Sequence, residues 1–417
     1  MFGNSEKIVI GYDLSDEYVQ ISYCEPGEEM PVTLSLLEGS EQYNIPACLF
    51  KRLEVNQWFF GVLAKNYEKV EEGTMITGLL AKAVAGEEVP VQDEFFDPVA
   101  LLALFIKRSL SMLSGKGKTD RIEGIMFTVP ELTQSMIEML QKMVLLLDMP
   151  QCQMAFQGRE ESIYYYIIHQ PRELWNHDVL IYDLSHEYLE SFYMQRNERT
   201  TPQVVFVDRK IQKEIVRNSQ KQQDDIFLQL VKEQTQGAII SCAYLVGDGF
   251  ATDWCSESLR ELCRNRRAFQ GNNLYSKGAC YTMLEKVWEK TENAQLIFLG
   301  KDKLRANVGI KVRKKQKNIY LPLLNGGDNW YDSKKEYDFI LISGNSICLV
   351  ITPLDGRNVK NVEVVLDGLT EREERTTRLH VAISMKSEND ISLVITDMGF
   401  GEIFPGTGQI FEQTIQL

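Results

Sequence analysis

The chain is 417 residues long, with 44% hydrophobic and 25% charged side chains, a net charge of -14 and a mean hydropathy of -0.22, values of a folded protein with more than one core. The acidic balance argues against phosphate-backbone binding, so no nucleic-acid partner is expected. No apolar run approaches the ~20 residues of a membrane span and the start lacks a basic-then-apolar leader, so no membrane partner and a cytoplasmic address are expected.

In chain order, Ile8-Val9-Ile10 opens a strand that runs into Tyr12-Asp13-Leu14-Ser15-Asp16-Glu17-Tyr18 and returns as a second strand near Tyr23. Strand-like material continues through Asn44-Ile45-Pro46 to Leu49-Phe50, and Gln57 to Ala64 reads as a strand and a turn about Gly61. From Pro98 to Leu113 the apolar spacing is helical, with Asp97 as N-cap. Gly115-Lys116-Gly117-Lys118 lacks the frame of a phosphate loop and reads as a linker. Gly124 to Val129 is a buried-type strand, and Thr133 caps a helix over Gln134 to Leu147 whose methionines read as core. A strand near Cys152 to Phe156 leads into a helix over Glu160 to His169.

Val179-Leu180-Ile181 then leads into Tyr182-Asp183-Leu184-Ser185-His186-Glu187-Tyr188, so the strand–Asp–turn–strand unit recurs and predicts two related α/β halves. Asp224 to Gln236 is helical, and Ala238 to Val246 is a strand ending in Gly247-Asp248-Gly249. Cys255 to Arg266 reads as a helix, and another passes through Gly278 towards Lys290. Beyond Leu296, period-two stretches alternate with turn signals (Asn325-Gly326, Ser343-Gly344-Asn345, Asp355-Gly356, Asp367-Gly368, Asn389-Asp390), which predicts an all-β region. The eight scattered cysteines contain no C-x-x-C pair, and the four histidines form no constellation, so neither zinc nor triad chemistry is expected. Cys242, Cys280 and Cys348 read as buried free thiols.

In this order the elements resemble the actin/hexokinase/heat-shock ATPase superfamily, and within it the DnaK-type chaperones. Ile10-Gly11-Tyr12-Asp13-Leu14-Ser15 and Tyr182-Asp183-Leu184 resemble its two phosphate hairpins. Phe127-Thr128-Val129-Pro130 resembles a strand–helix unit, Leu245 to Gly249 the adenosine turn, and Ser276-Lys277-Gly278-Ala279 the helix that completes it. Val308 to Val312, Leu366 to Leu369, Leu379 to Ile383 and Leu393 to Asp397 resemble strands of the chaperone's peptide-binding β domain.

The resemblance implies a duplicated, actin-like (ribonuclease H-like) α/β domain in two lobes, residues 1–170 and 171–300, followed by an antiparallel β-sandwich over 301–417. The short interval between the second hairpin and Gly247 implies a reduced second upper subdomain, and the end of the chain at the β domain implies no helical lid. The implied cofactor is ATP or ADP with Mg²⁺, in a cleft built from Asp13, Ser15, Asp183, Ser185, Gly247, Asp248, Gly249 and Gly278.

The chemistry argues against that cofactor. A phosphate clamp needs backbone N–H groups on glycine- and hydroxyl-rich turns, whereas these turns carry Asp16-Glu17 and His186-Glu187. Gly158-Arg159 stands where the family carries a Glu-Pro pair, so the implied catalytic carboxylate is missing. No catalytic residue, no metal site and no cofactor are therefore expected; Glu17 and Glu187 side chains filling the phosphate space would finish the ATPase reading. Asp13 and Asp183 either hold a metal or cap their turns through side chain–backbone hydrogen bonds.

In the β region, Arg313-Lys314-Lys315-Gln316-Lys317 takes the position of the first peptide-arch loop, and Ser343-Gly344-Asn345-Ser346 that of the second. Neither loop resembles an apolar clamp. Arg313, Lys314, Lys315, Lys317, Ser343 and Asn345 are the candidate contacts for an acidic protein or peptide partner; a solvated charged hairpin tip is the alternative. The resulting reading is a non-catalytic, DnaK-like scaffold with a pseudo-ATPase domain. The alternatives are a nucleotide-dependent, chaperone-like switch with atypical clamps, and an actin-like filament former.

Overall fold

The computed structural model describes residues 7–37, 39–116, 121–185, 188–198, 202–213, 215, 219–288, 296–315, 317–354 and 358–417. His186 and Glu187 of the second turn, Gly117-Lys118, Gln316, Lys290 and Asp355-Gly356 lie outside the described residues. The chain is mixed α/β and divides into two compact units. One comprises Met1–Glu198 with Val205–Leu296, and the other Arg199–Val204 with Ile297–Leu417. The two lobes expected over 1–170 and 171–300 thus belong to one unit.

Within the first unit, β1 (Ile8–Leu14), β2 (Tyr18–Cys24) and β3 (Val32–Thr33) form a meander. An insertion follows, made of β4 (Ile45–Pro46), β5 (Leu49–Arg52), β6 (Trp58–Phe60), α1 (Gly61–Tyr67), β7 (Gly73–Ile76), α2 (Leu79–Ala85), β8 (Val89–Val91) and β9 (Glu94–Phe96). The half then continues as α3 (Pro98–Leu110), β10 (Ile122–Val129), α4 (Gln134–Leu147), β11 (Gln153–Gly158) and α5 (Arg159–Ile168). The second half repeats the order: β12 (Asp178–Leu184), β13 (Leu189–Asn197), β14 (Gln203–Gln212), α6 (Gln220–Thr235), β15 (Ile240–Val246), α7 (Ser256–Leu262), β16 (Arg267–Gln270) and α8 (Leu274–Val287). Five strands of each sheet run in matching order, β11-β10-β1-β2-β3 and β16-β15-β12-β13-β14. In both, the first strand is antiparallel to the second and parallel to the strand after the first long helix. The second half has no insertion: only residues 213–219 separate β14 from α6.

The repeated strands form because they are apolar along their length. Every residue of β1 is buried, as is every residue of β12 after Asp178, as suits strands covered on both faces. Tyr12 and Tyr182, the first residues of the repeat, are both fully buried. Each anchors its strand to its own half's first long helix, Tyr12 by a 2.7 Å hydrogen bond to Ser109 of α3 and Tyr182 by a 2.8 Å bond to Gln234 of α6. Helix α8 of the second half packs on β1 and β10 of the first and crosses α5, joining the halves. Two glycines permit this approach. A Cβ on Gly11 would lie 2.0 Å from Ser276 O, and one on Gly278 would lie 2.0 Å from Ser162 O.

Three local readings are corrected. Residues from Gly61 onward form helix α1, not a turn, with Ala64 buried. The helix read over Cys255 to Arg266 ends at Leu262, since Asn265 adopts a left-handed φ of 63°, and the next strand, β16, starts at Arg267. Cys348 is exposed because it occupies the outer face of a strand between the buried Ile347 and Leu349.

In the second unit β17 (Leu296–Phe298) precedes two antiparallel sheets. One runs β19 (Lys317–Leu324), β18 (Ala306–Lys314), β21 (Ser346–Pro353), β22 (Lys360–Val365). The other runs β20 (Lys334–Leu341), β23 (Thr377–Met385), β24 (Asp390–Phe400), with β25 (Phe404–Pro405) and β26 (Ile410–Gln416) both pairing with β24. Strict alternation in β23 and β24 turns Leu379, Val381, Ile383, Ile391, Leu393 and Ile395 into one buried face. No helix among the described residues is long and apolar enough to cross a membrane.

Candidate functional site

The two repeat turns close in the same way. The backbone N–H of Ser15 donates to Tyr18 O (3.2 Å), its hydroxyl donates to the same carbonyl (2.7 Å), and that hydroxyl accepts from Tyr18 N–H (3.3 Å). Ser185 does the same to Tyr188, at 3.1, 3.2 and 3.3 Å. The serines, not the aspartates, therefore cap the turns, and the side chains of Asp13 and Asp183 are left facing the interior.

Between the turns lies a cleft of about 320 Å³. Its lining includes Ser15, Asp16, Glu17 and Tyr18 from one hairpin, Asp183, Ser185, Tyr188 and Glu190 from the other, and Arg159, Gly247 and Asp248. Asp13 lies under this lining, 1% exposed. Gly249 does not reach the cleft; it packs on Leu184, where a Cβ would come within 2.4 Å of the side chain. Gly278 belongs to the α5–α8 crossing and not to a ligand surface. Gly247, at a φ of 91°, turns the chain so closely over Asp183 that a Cβ would lie 2.6 Å from its carboxylate.

Arg159, the first residue of α5, dominates the cleft floor. Its Nη1 is 3.4 Å from Asp183 Oδ2 and 3.2 Å from Glu190 Oε2, with all three side chains under a tenth exposed. Its guanidinium lies 4.5 Å over the ring of Tyr275, whose hydroxyl donates to Asp183 at 2.8 Å. Glu190 also receives Arg209 Nε at 2.9 Å, while Arg209 Nη1 donates to Pro130 O at 3.2 Å in the opposite half. This ion network, which spans both halves, was not read from the sequence. One legible sign is Gly158-Arg159, read there as a lost carboxylate although it introduces a cation.

The two aspartates have different surroundings. Burial pushes the Asp13 carboxyl up to about 6, a rise that Arg159 opposes and Asp183 reinforces. Neither Asp13 oxygen has a hydrogen-bond partner among the described residues. Burial also raises Asp183, against the pull of Arg159 and the Tyr275 hydroxyl. For Arg159, burial alone would favour the neutral form, but Asp13, Tyr275 and Asp183 outweigh it and hold the guanidinium charged.

The described carboxylates of the turns make local contacts or face solvent. Asp16 accepts from Ala81 N–H at 2.9 Å and so caps helix α2, which has no side-chain cap of its own. Asp248 accepts from Asn44 Nδ2 at 3.0 Å, and Glu17 is exposed at the rim. No group of three or more His, Cys, Asp or Glu among the described residues is arranged to hold a metal.

In the second unit, Arg313, Lys314 and Ser343 come together on one groove of about 530 Å³. Ile310, Val312, Phe339, Leu341, Ile347 and Leu379 line it, so the strands beneath supply the apolar surface that the loops lack. Lys315, at a φ of 49°, and Lys317 sit at the hairpin tip. Asn345 lines a separate hollow of about 390 Å³ with Glu371, Glu373 and Glu374.

Residues 30–301 match the model of a family of unknown function, the DUF5716 C-terminal family, and residues 303–417 match a domain of unknown function, DUF8552. The first match spans more than half of the chain, and the chain belongs to that family. The boundary between the two matches falls close to the boundary between the compact units at Leu296 and Ile297. Comparison with curated proteins finds no match.

Proposed function

We propose that this member of the DUF5716 C-terminal family is a catalytically inert relative of the actin/hexokinase/heat-shock ATPases, and that it acts as a scaffold carrying a partner-binding β-sandwich. The fold reading is supported by the duplicated β-β-β-α-β-α-β-α order, the helices α5 and α8 between the halves, and an insertion present in one half only. The observation that carries the functional reading is Arg159. In an active relative the two hairpin aspartates would face a hydrated Mg²⁺ and the phosphates; here a buried guanidinium is ion-paired to Asp183 and close to Asp13. The protein's own cation supplies the charge that a metal would. A triphosphate would meet Asp16, Glu17, Asp183, Glu190 and Asp248, with Arg159 as the one cation among the described residues of the lining. Each unscreened like-charge pair in such a cleft costs on the order of a few kcal/mol.

The switch reading calls for an arginine that offsets the turn carboxylates, and Arg159 is in place for it. Its Nη1, however, donates to both Asp183 and Glu190, which favours the inert reading. Calorimetric titration with Mg-ATP and Mg-ADP tests this: the proposal expects no saturable heat and no turnover. A thermal shift on adding millimolar Mg-ATP would favour the switch.

In the β-sandwich, the apolar groove with Arg313 and Lys314 on its rim suits an extended acidic segment with apolar side chains. Fluorescence anisotropy with a Glu/Leu peptide should show binding that Arg313→Glu with Lys314→Glu removes. Equal binding of a Lys/Leu peptide would sink this assignment.

A further inference from the structure

Helices α5 and α8, whose crossing joins the two halves, meet at three places. At the cleft end Arg159 lies over Tyr275, and near the middle Gly278 meets Ser162. At the far end His169, the C-cap of α5, stacks on Tyr281 of α8 with ring centroids 4.1 Å apart. Its Nδ1 is 2.7 Å from Tyr165 O, and its Nε2 is 3.4 Å from Glu285 Oε1 on α8. The His169 and Glu285 side chains are 15% and 17% exposed, so water screens their interaction only in part.

Both ring nitrogens of His169 thus face oxygens. A carbonyl only accepts, so Nδ1 carries a proton. In the neutral imidazole Nε2 then turns a lone pair towards the Glu285 carboxylate, whereas in the imidazolium it turns an N–H. The C-terminal end of α5 and the face of the Tyr281 ring also favour the cation. Glu161 of α5 is a second carboxylate in these surroundings, acting together with Glu285 on Tyr164 and Tyr165. The other titratable groups are Tyr166 of α5, Tyr281 and Cys280 of α8, and Cys24 of β2. Strand β15 adds Cys242 and Tyr244 beside Tyr166. Burial raises all five tyrosines, Cys242 and Cys280, which keeps them neutral around pH 7.

We propose that His169 and Glu285 form a proton-operated latch that fastens the far end of the α5–α8 crossing and so holds the two halves together. With the proton on, the imidazolium donates to Tyr165 O and pairs with Glu285. With the proton off, the attraction is lost and a partly buried carboxylate faces a lone pair. A proton held more tightly by the folded protein than by the unfolded chain stabilises the fold in full below the ordinary histidine value of about 6.5. That contribution disappears as pH rises through the folded-state value.

The test is amide hydrogen exchange on the full chain, parent against Glu285→Gln, corrected for the intrinsic pH dependence of exchange. At about pH 6 the parent should protect α5 and α8 about tenfold better than the variant, the equivalent of one unit of pK. By about pH 8.5 that ratio should fall to one or below, because the parent has lost the proton. A packing role alone would give the same ratio at both pH values, and that result would overturn the latch. A second measurement needs no variant: the ring nitrogens of His169 in the parent, read by nitrogen-15 resonance and identified through the contact with Tyr281. Both should carry protons at pH 7. An Nε2 without a proton at that pH would equally overturn the proposal.

Discussion

Asp13 and Asp183 hold equivalent places in two copies of one motif, yet among the described residues one has no hydrogen-bond partner and the other is the centre of an ion network. The hairpins differ at the register position facing each aspartate. Gln20 lies across from Asp13, and Glu190 lies across from Asp183. Gln20 is neutral and reaches Asn44 Oδ1 and Asn272 O, at 2.6 and 2.7 Å. Glu190 is charged and gathers Arg159 and Arg209. A single change in charge across the strand pair therefore separates the two halves chemically while their backbones stay alike. The two halves share strand order and turn geometry, and the partners across the sheet distinguish the two aspartates.

The comparison can be broken most severely at Arg159. Arg159→Met leaves Asp183 and Glu190 short of a buried partner and should cost about 3–5 kcal/mol, read as a large fall in the denaturant midpoint. Adding Glu190→Gln, which makes the second hairpin resemble the first, should recover part of that loss. A double variant no more stable than Arg159→Met alone would show that the network does not couple these residues.

Asp13→Asn should act in the opposite direction. With its carboxyl raised to about 6 in the folded state, ionised Asp13 destabilises the fold at neutral pH. The favourable contribution of the protonated form is complete below the ordinary carboxylate range and disappears as pH rises through about 6. The variant should therefore be more stable than the parent at pH 7.5, by roughly 2–3 kcal/mol, and the gain should vanish towards pH 4. A loss of stability at pH 7.5 would mean that Asp13 is held by an attraction stronger than its burial.

The smallest effects belong to the tyrosines that open the repeats. Tyr12→Phe and Tyr182→Phe each remove one buried hydrogen bond, worth about 1 kcal/mol. Tyr12→Phe should cost less, because Ser109 keeps its 2.9 Å bond to Ile106 O. Chemical denaturation of the two variants side by side measures the difference.

Much of the architecture was legible because it is written locally. Tyr12-Asp13-Leu14-Ser15 and Tyr182-Asp183-Leu184-Ser185 repeat in plain sight, the caps Asp97 and Thr133 mark their helices, and Asn325-Gly326 and Asp367-Gly368 punctuate the β region. Strand β16 was not legible, because four residues in an arginine-rich stretch carry too little periodicity to outweigh the helix before them. The cleft was legible in outline and not in chemistry. Arg159, Glu190, Arg209 and Tyr275 lie on four different elements, and only the fold brings them together. Glu190 could have been found by aligning the repeat beyond its turn, where it faces Gln20. Arg209 and Tyr275 carry no signal of that kind.

Titration of the full chain with Mg-ATP in the calorimeter, followed by assay for released phosphate, tests the central claim most directly. With Arg159 ion-paired to Asp183 and Glu190 and carboxylates around the cleft, the account predicts no saturable heat and no phosphate. Micromolar binding accompanied by turnover would contradict it.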